Sequence, residues 1–386
     1  MRCGGQDGFR SGKMGRMSAM TVIPVERRRR VAAAVKKAGA EALLVTHLPD
    51  VRYLTGFTGS SAALVVKGSG ATMFTDGRYT AQAQAEVDGA KVEIVEKPAA
   101  VAACEFAVEE GVEKCAFDAA QTTVETLEKL AAGLPKKLRK KWFVPVSGLV
   151  AGLREVKDEV EQEKMREAAA LGCRLFEEVL EEIHPGANEM EIALALEFMA
   201  RLAGAERMSF ETIVAGGERS ALPHGRATNA KLPRRGFVTL DFGVVLDGYC
   251  SDMTRTVHLG AARKGEREVY DAVLDAQLAG VAAVKAGVTG AEVDEAARGV
   301  LVAAGFGDFF THGTGHGVGL EIHEAPRLGK RRGGVAEGKL KAGMVVTIEP
   351  GVYMPGRFGV RIEDTVLVTE TGCEILTPST KAWIEL

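Results

Sequence analysis

The sequence predicts an α+β protein of two domains, and three observations carry that prediction. The chain has 386 residues, more than the roughly 100–200 that one ordinary domain holds. Its first part, to about residue 145, alternates helical and strand-like patterns in the manner of an α/β domain. Beyond about residue 150, long charged helical stretches stand beside apolar strands interrupted by acids, which reads as helices laid on one face of an antiparallel sheet. The boundaries follow: a disordered leader over 1–20, an N-terminal domain over 21–150, and a C-terminal domain over 151–386.

Composition removes several function classes. With 46% hydrophobic and 26% charged residues the chain is neither disordered, collagenous nor coiled coil. Lys+Arg 49 against Asp+Glu 52 leaves a net charge of -3, so nothing calls for nucleic acid as a partner. No run of about 18 apolar residues is present, so no membrane partner is expected. Met1 to Met20 has no apolar core and is not read as a secretory signal, and Met14, Met17 and Met20 are alternative starts. The six cysteines, Cys3, Cys104, Cys115, Cys173, Cys250 and Cys373, form no C-x-x-C pair, which favours reduced thiols and a cytoplasmic location.

The elements are read in chain order. Val25–Ala38 is a helix closed by Gly39, and the charge run Arg27–Arg30 is its solvated end. Ala42–Thr46, Ala62–Val66 and Ala71–Thr75 are strands, with a turn at Asp76-Gly77. The basic stretch Lys136–Lys141 has no apolar period, and Pro145 and Gly148 punctuate the boundary. Glu155–Glu182 is a helix stopped at His184-Pro185-Gly186, and Asn188 caps another that runs to about Leu202. Glu266–Lys285 and Gly290–Ala304 are helices, while Phe237–Val245, Tyr249–His258, Met344–Glu349 and Gly359–Thr369 are strands. The basic run Lys330–Arg332 reads as a solvated loop.

The acids in those strands are the unusual feature, because an unpaired buried carboxylate is costly. Asp247-Gly248 suits a type I′ turn. If those two residues are the whole loop, Leu246 pairs with Tyr249 and Gly243 with Asp252. Asp241 then lies one diagonal step from Asp252 on the same face, roughly 7–8 Å away by Cα unless a bulge breaks the parity. Glu349 ends a second apolar strand before Pro350-Gly351, and Glu363 lies in Val360-Arg361-Ile362-Glu363-Asp364 with Arg361 on its face. Four carboxylates held close repel one another, and two dications balance them. His312 and His316, in His312-Gly313-Thr314-Gly315-His316-Gly317, share a face and offer an imidazole. An oxygen-rich site with one imidazole suits Mn²⁺ or a similar first-row dication.

Five segments in order resemble the metal-site motifs of the Xaa-Pro peptidase family, which includes aminopeptidase P and prolidase. They are Leu240-Asp241-Phe242-Gly243, Ser251-Asp252-Met253-Thr254-Arg255-Thr256, His312 to Gly319, Thr347-Ile348-Glu349-Pro350-Gly351-Val352-Tyr353 and Val360 to Asp364. The segments Asp50 to Ser60 and Thr75-Asp76-Gly77-Arg78-Tyr79 resemble the creatinase-like amino-terminal domain of that branch. The resemblance implies a pita-bread catalytic domain, and it implies Asp241, Asp252, His316, Glu349 and Glu363 as ligands of two divalent ions. Asp241 would hold one ion, His316 and Glu349 the other, and Asp252 and Glu363 would bridge. It implies Mn²⁺ first, with Co²⁺, Zn²⁺ or Fe²⁺ as alternatives.

By the same resemblance His224 and His323 meet the substrate and the tetrahedral intermediate, while His312, Tyr353 and Arg361 line or orient the pocket. The function implied is a metal-dependent exopeptidase. It would cut small peptides with proline at the second position through a metal-activated hydroxide, and act as a homodimer. Aminopeptidase and dipeptidase remain alternatives. So do a methionine-type aminopeptidase, a metal-free hydrolase and a non-catalytic relative.

Overall fold

A computed structural model describes residues 11–331, 333 and 338–386. The chain divides into two compact units, Met1–Arg154 and Glu155–Leu386. Of the leader expected over 1–20, residues 1–10 lie outside the described residues, as does Arg332 of the basic run.

Among the described residues the first unit holds six strands: β1 (Ala42–Val45), β2 (Ala63–Lys67), β3 (Gly70–Thr75), β4 (Lys91–Ile94), β5 (Cys115–Asp118) and β6 (Phe143–Val146). They form one mixed sheet in the order β4-β3-β2-β1-β5-β6. Its helices are α1 (Ser11–Lys37), α2 (Leu48–Thr55), α3 (Thr80–Glu86), α4 (Ala99–Glu109), α5 (Val124–Gly133) and α6 (Ala151–Arg154). The sheet and α4 share an apolar core with Trp142, whose indole N–H donates to the Val112 carbonyl at 2.7 Å.

Two expectations are corrected here. The first helix begins at Ser11, upstream of both Pro24 and the expected start at Val25. Its Met, Ala and Lys residues are adequate helix formers. The Arg27–Arg30 run is also not wholly a solvated end. Arg28 is fully buried and donates to the carbonyls of Leu54, Asp88 and Gly89. A guanidinium can be buried when several of its five N–H groups meet carbonyls, and no charge count reveals that.

The second unit is built of helix pairs against antiparallel strands. The helices are α7 (Glu159–Val179), α8 (Glu189–Leu202), α9 (Lys264–Ala283) and α10 (Gly290–Ala303). Reciprocal capping boxes open α7 at Asp158 and α10 at Thr289, and the Asn188 side chain accepts from Met190 N–H at the start of α8. The strands are β7 (Arg207–Met208), β8 (Ile213–Gly216), β9 (Gly236–Phe242), β10 (Val244–Leu246), β11 (Tyr249–Cys250), β12 (Met253–Leu259), β13 (Gly315–Gly317), β14 (Glu324–Leu328), β15 (Val345–Ile348), β16 (Gly351–Met354), β17 (Phe358–Arg361), β18 (Asp364–Val368) and β19 (Cys373–Ile375). They pair as β11-β10-β7, β12-β9-β8, β14-β13-β15-β18-β19 and β16-β17. Buried apolar residues of α7 and α8 pack on β8, β9 and β12. Those of α9 pack on β16 and β17.

The first acid-bearing hairpin turns at Asp247 and Gly248, both at positive φ (46° and 82°), as a type I′ turn requires. Leu246 pairs with Tyr249, and beyond the turn Met253 pairs with Phe242 and Thr254 with Asp241. One register therefore runs through the hairpin, without a bulge, and Gly243 faces Asp252. The expected long strands Phe237–Val245 and Tyr249–His258 are nevertheless interrupted, at Gly243 and at Ser251-Asp252. There the two halves enter different sheets.

The expected strand Gly359–Thr369 is likewise two strands. Its first part pairs with β16 and its second with β15, because Pro350, lacking an N–H, cannot continue the ladder. Glu363 thus lies between strands rather than inside one. Both ladders share a register in which Glu349 and Glu363 are facing positions.

Candidate metal centre

Both interruptions open onto one pocket of about 630 Å³. Asp241, Asp252, His316, Glu349 and Glu363 all line it, together with His224, His312, His323 and Arg361. One carboxylate oxygen each from Asp241, Asp252 and Glu363 lies within 4.8 Å of the others. His316 Nε2 is 3.6 Å from Asp252 Oδ2 and 3.6 Å from Glu349 Oε1. The strand ends fix these positions: Asp241 on β9, Asp252 just before β12, His316 on β13, Glu349 just after β15, Glu363 just before β18.

The electrostatics are those of a site short of positive charge. Burial first, then Glu363, Asp241 and Glu349, pushes the Asp252 carboxyl well above its ordinary value. Burial, then Glu349 and Asp241, does the same to Glu363. Burial, against the pull of Arg361 and with Asp241 adding to it, raises Glu349 to about 8. Asp241 Oδ2 accepts from Arg361 Nη2 at 2.5 Å, but its buried Oδ1 has no hydrogen-bond partner. An orphaned buried carboxylate oxygen is expensive, and three crowded carboxylates are more so. A divalent cation satisfies both. The residues present therefore fit the group the sequence calls for.

The imidazole is prepared for the same task. His316 Nδ1 lies 3.0 Å from the Gly317 carbonyl. That oxygen can only accept, so the proton sits on Nδ1 and the Nε2 lone pair faces the acids. Burial lowers the His316 pKa to about 4, which keeps it neutral, as a ligand must be.

Behind the acids runs a chain of hydrogen bonds. Arg361 Nη1 donates to Tyr353 Oη at 2.7 Å. Tyr353 Oη in turn donates to His312 Nε2 at 2.9 Å, because His312 Nδ1 carries its proton toward the Gly313 carbonyl at 2.7 Å. Arg361 also donates to the Pro223 carbonyl, next to His224. Burial holds the guanidinium's charge back, but Tyr353, Asp241 and Glu349 outweigh it, and Arg361 stays firmly protonated. Burial lowers His312 to about 4 and raises Tyr353 to about 12, so both are neutral. His224 and His323 are exposed on the pocket wall, and the His323 ring meets the His316 ring edge-on at 4.5 Å.

Sequence reasoning missed the polar residues that hold this set in place. Thr254 Oγ1 donates to Glu363 Oε2 at 2.6 Å and accepts from Arg361 Nε at 3.1 Å. Thr347 Oγ1 accepts from His316 N–H at 3.0 Å. Asp294 on α10 takes the Thr314 N–H and hydroxyl, while its i+4 partner Arg298 donates to the His312 carbonyl. A threonine two residues after a buried acid, at the start of the following strand, was the available signal for Thr254. The Asp294–Arg298 pair looks like any surface ion pair in sequence.

Comparison with known proteins agrees with this architecture. Residues 163–370 match the model of metallopeptidase family M24, and residues 27–156 match the Creatinase/Prolidase N-terminal domain. A Bacillus subtilis protein, the uncharacterized peptidase YqhT, is 41% identical over 90% of this chain and 96% of its own. The solved structure of an Xaa-Pro dipeptidase from Bacillus anthracis is 40% identical, with a TM-score of 0.89 over 94% of this chain and 100% of that one. That of an X-Pro aminopeptidase from Thermotoga maritima is 34% identical, with a TM-score of 0.83 over 91% of this chain and 99% of that one.

Proposed function

This chain belongs to metallopeptidase family M24, and from that premise we propose that it is an Xaa-Pro dipeptidase. Asp241, Asp252, His316, Glu349 and Glu363 are its ligands for two divalent cations. The observation that carries the reading is the convergence of Asp241, Asp252 and Glu363 within 4.8 Å, with His316 Nε2 beside Asp252 and Glu349. Asp252 and Glu363 would contribute to holding both ions, and manganese would be the first choice because oxygen donors outnumber the single nitrogen. When bound, such cations lower the pKa of water and polarise a carbonyl.

The chain's own groups do the rest. Glu349, half-buried on the wall of the pocket, takes a proton from the attacking water and passes it to the leaving nitrogen. His323 and His224, on the wall of the same pocket, donate hydrogen bonds to the oxygen on which charge develops. Arg361 neutralises Asp241 and, through Tyr353, fixes the His312 ring. None of these contacts needs an N–H on the scissile bond, which an Xaa-Pro peptide lacks.

Arg327 supports a dipeptide substrate. It pairs with His316 across the β13–β14 ladder, lines the pocket and packs its guanidinium against Gly313 and Gly329. Among the described residues no carboxylate forms a salt bridge with it. A guanidinium so placed matches the free carboxylate of a dipeptide. The likeness to an X-Pro aminopeptidase favours the second reading, removal of the first residue from longer peptides. The free thiols Cys104, Cys115, Cys173, Cys250 and Cys373 support a reducing, cytoplasmic setting. No helix among the described residues is long and apolar enough to cross a membrane.

The test is hydrolysis of an Xaa-Pro dipeptide and an Xaa-Pro-Yaa tripeptide by metal-stripped protein, with and without Mn²⁺. Metal-dependent cleavage of the dipeptide alone is the expected result. Cleavage of the tripeptide establishes the aminopeptidase reading instead, and cleavage of neither removes the proline assignment.

A further inference from the structure

Lys157 is 3% exposed, and a lysine is almost never buried this fully unless its charge is paired. The partner is Glu324. Lys157 Nζ donates to Glu324 Oε2 at 3.1 Å, and the two side chains are 1% and 7% exposed. A buried ion pair is weak evidence of a gain in stability, since apolar residues of similar volume often serve as well. What it does supply is a fixed place for both groups. Here one of them, Glu324, stands in the wall of the pocket, and Lys157 stands outside that wall.

Both ends of the pair are held. Lys157 immediately precedes the cap of α7. Its N–H donates to the Gly343 carbonyl at 2.8 Å, and its carbonyl accepts from Gln162 Nε2 at 2.8 Å, so the lysine stem leaves from backbone fixed on two sides. Glu324 opens β14 opposite Gly317, just past the register shift between His316 and Gly317. Its other oxygen, Oε1, accepts from Glu321 N–H at 3.1 Å, while Gly319 N–H donates to the Glu321 carbonyl at 3.1 Å. The carboxylate thus closes the turn between β13 and β14 from within. A Cβ on Gly319 would stand 2.5 Å from Glu324 Oε2, so the turn admits the carboxylate because residue 319 has no side chain. His323 is the last residue of that turn. It is exposed on the pocket wall, with its ring edge-on to His316 at 4.5 Å.

We infer that Lys157 is a positioning residue for His323: through Glu324 it holds the β13–β14 turn so that the His323 imidazole stands beside His316 and faces the pocket. The inference rests on the reaction proposed above, in which His323 donates to the oxygen on which charge develops. A donor of that kind acts only where the charge appears, and a displacement of about 1 Å costs about 10²-fold in rate. Without the ammonium, the Glu324 carboxylate loses the counter-charge behind the wall and turns toward the water in the pocket, and the turn loses its clamp. Lys157 touches no substrate, so its effect falls on kcat rather than on binding.

Hydrolysis of an Xaa-Pro peptide by the Mn²⁺-loaded full chain tests this through a double-mutant cycle. Lys157→Met is expected to lower kcat about 10–100-fold, with KM changed less than about threefold and metal content unchanged. His323→Ala removes the group through which Lys157 acts, so adding Lys157→Met to it costs nothing further. An equal loss in both backgrounds is the mark of a lysine that only supports the fold, and it overturns the inference, as does full activity of Lys157→Met. Where Lys157→Met fails to fold, Lys157→Met with Glu324→Gln, which strands neither charge, takes its place with the same expectations. Imidazole NMR signals of the histidine-labelled full chain, loaded with diamagnetic Zn²⁺, give a second readout that needs no turnover. Lys157→Met should shift the His323 signal, identified by its loss in His323→Ala. The signal of His258, buried beside Phe237 and Trp383, should stay in place. An unmoved His323 signal overturns the inference. If the unmodified chain cuts no Xaa-Pro peptide, the proposed reaction falls, and the His323 signal alone decides whether Lys157 holds that ring.

Discussion

The two acid-bearing hairpins of the second unit break their ladders at the same point with opposite residues. In the first, Gly243 faces Asp252, and the absence of a side chain lets the Ser251 carbonyl approach. A Cβ on Gly243 would stand 1.8 Å from that oxygen. In the second, Glu349 faces Glu363, and Pro350 interrupts the ladder by lacking an N–H. Each break frees backbone from the sheet at the acid and turns the carboxylate into the shared pocket. Acids can thus be gathered from strands by ending pairing where they sit, and the device is a missing side chain in one hairpin and a missing donor in the other.

The sharpest way to break the comparison is to remove one acid from each hairpin. Asp252→Asn and Glu363→Gln are expected to lower kcat/KM by at least about 10³-fold each, since groups acting as a unit are lost together. Steady-state kinetics with saturating Mn²⁺ checks this, and a large loss in one hairpin only would show that the pairs are not equivalent. Next in size is the backbone device. Gly243→Ala forces Ser251 aside and should cost about 2–4 kcal/mol of stability, whereas Pro350→Ala should cost less than about 1 kcal/mol. Chemical denaturation separates the two.

Smaller again is the link between the hairpins. Thr254 lies on the first and bonds Glu363 of the second. Thr254→Val should weaken metal binding about 10–100-fold, as titration calorimetry would read, and should also lower the melting temperature of the metal-free chain, because it strands Glu363 Oε2 and Arg361 Nε.

The last effect is on pH. Burial raises Glu349 from an ordinary 4.5 to about 8, so the metal-free folded chain keeps a proton that the unfolded chain has released. That contribution to stability is complete below about pH 4.5 and is lost as pH rises through about 8. Melting temperature of stripped protein should therefore fall across that interval. Saturating Mn²⁺, which replaces the proton, should flatten the fall. A flat profile without metal would contradict the account of Glu349.

The hairpins also differ in how legible they were. Asp247-Gly248 is a two-residue loop whose geometry sets the pairing, so the diagonal relation of Asp241 and Asp252 follows from counting along the strands. Between Glu349 and Glu363 lies a further hairpin, β16–β17, closed by Pro355-Gly356-Arg357. Without that turn assigned, nothing in the sequence says that the two glutamates face each other, and the segment around Glu363 reads as one strand. Buried polar contacts escaped for a related reason. Thr254, Thr347 and Asp294 act through partners distant in sequence, and Arg28 is buried by carbonyls that no side-chain pattern records.

The central claim is that both hairpins and His316 converge on one dinuclear site, and metal stoichiometry tests it most directly. Stripped protein dialysed against Mn²⁺ and counted by elemental analysis should hold two ions per chain. Asp241→Asn, which removes the proposed ligand of one ion only, should leave about one. Two ions retained after Asp241→Asn, or none bound by the unmodified chain, would contradict the account.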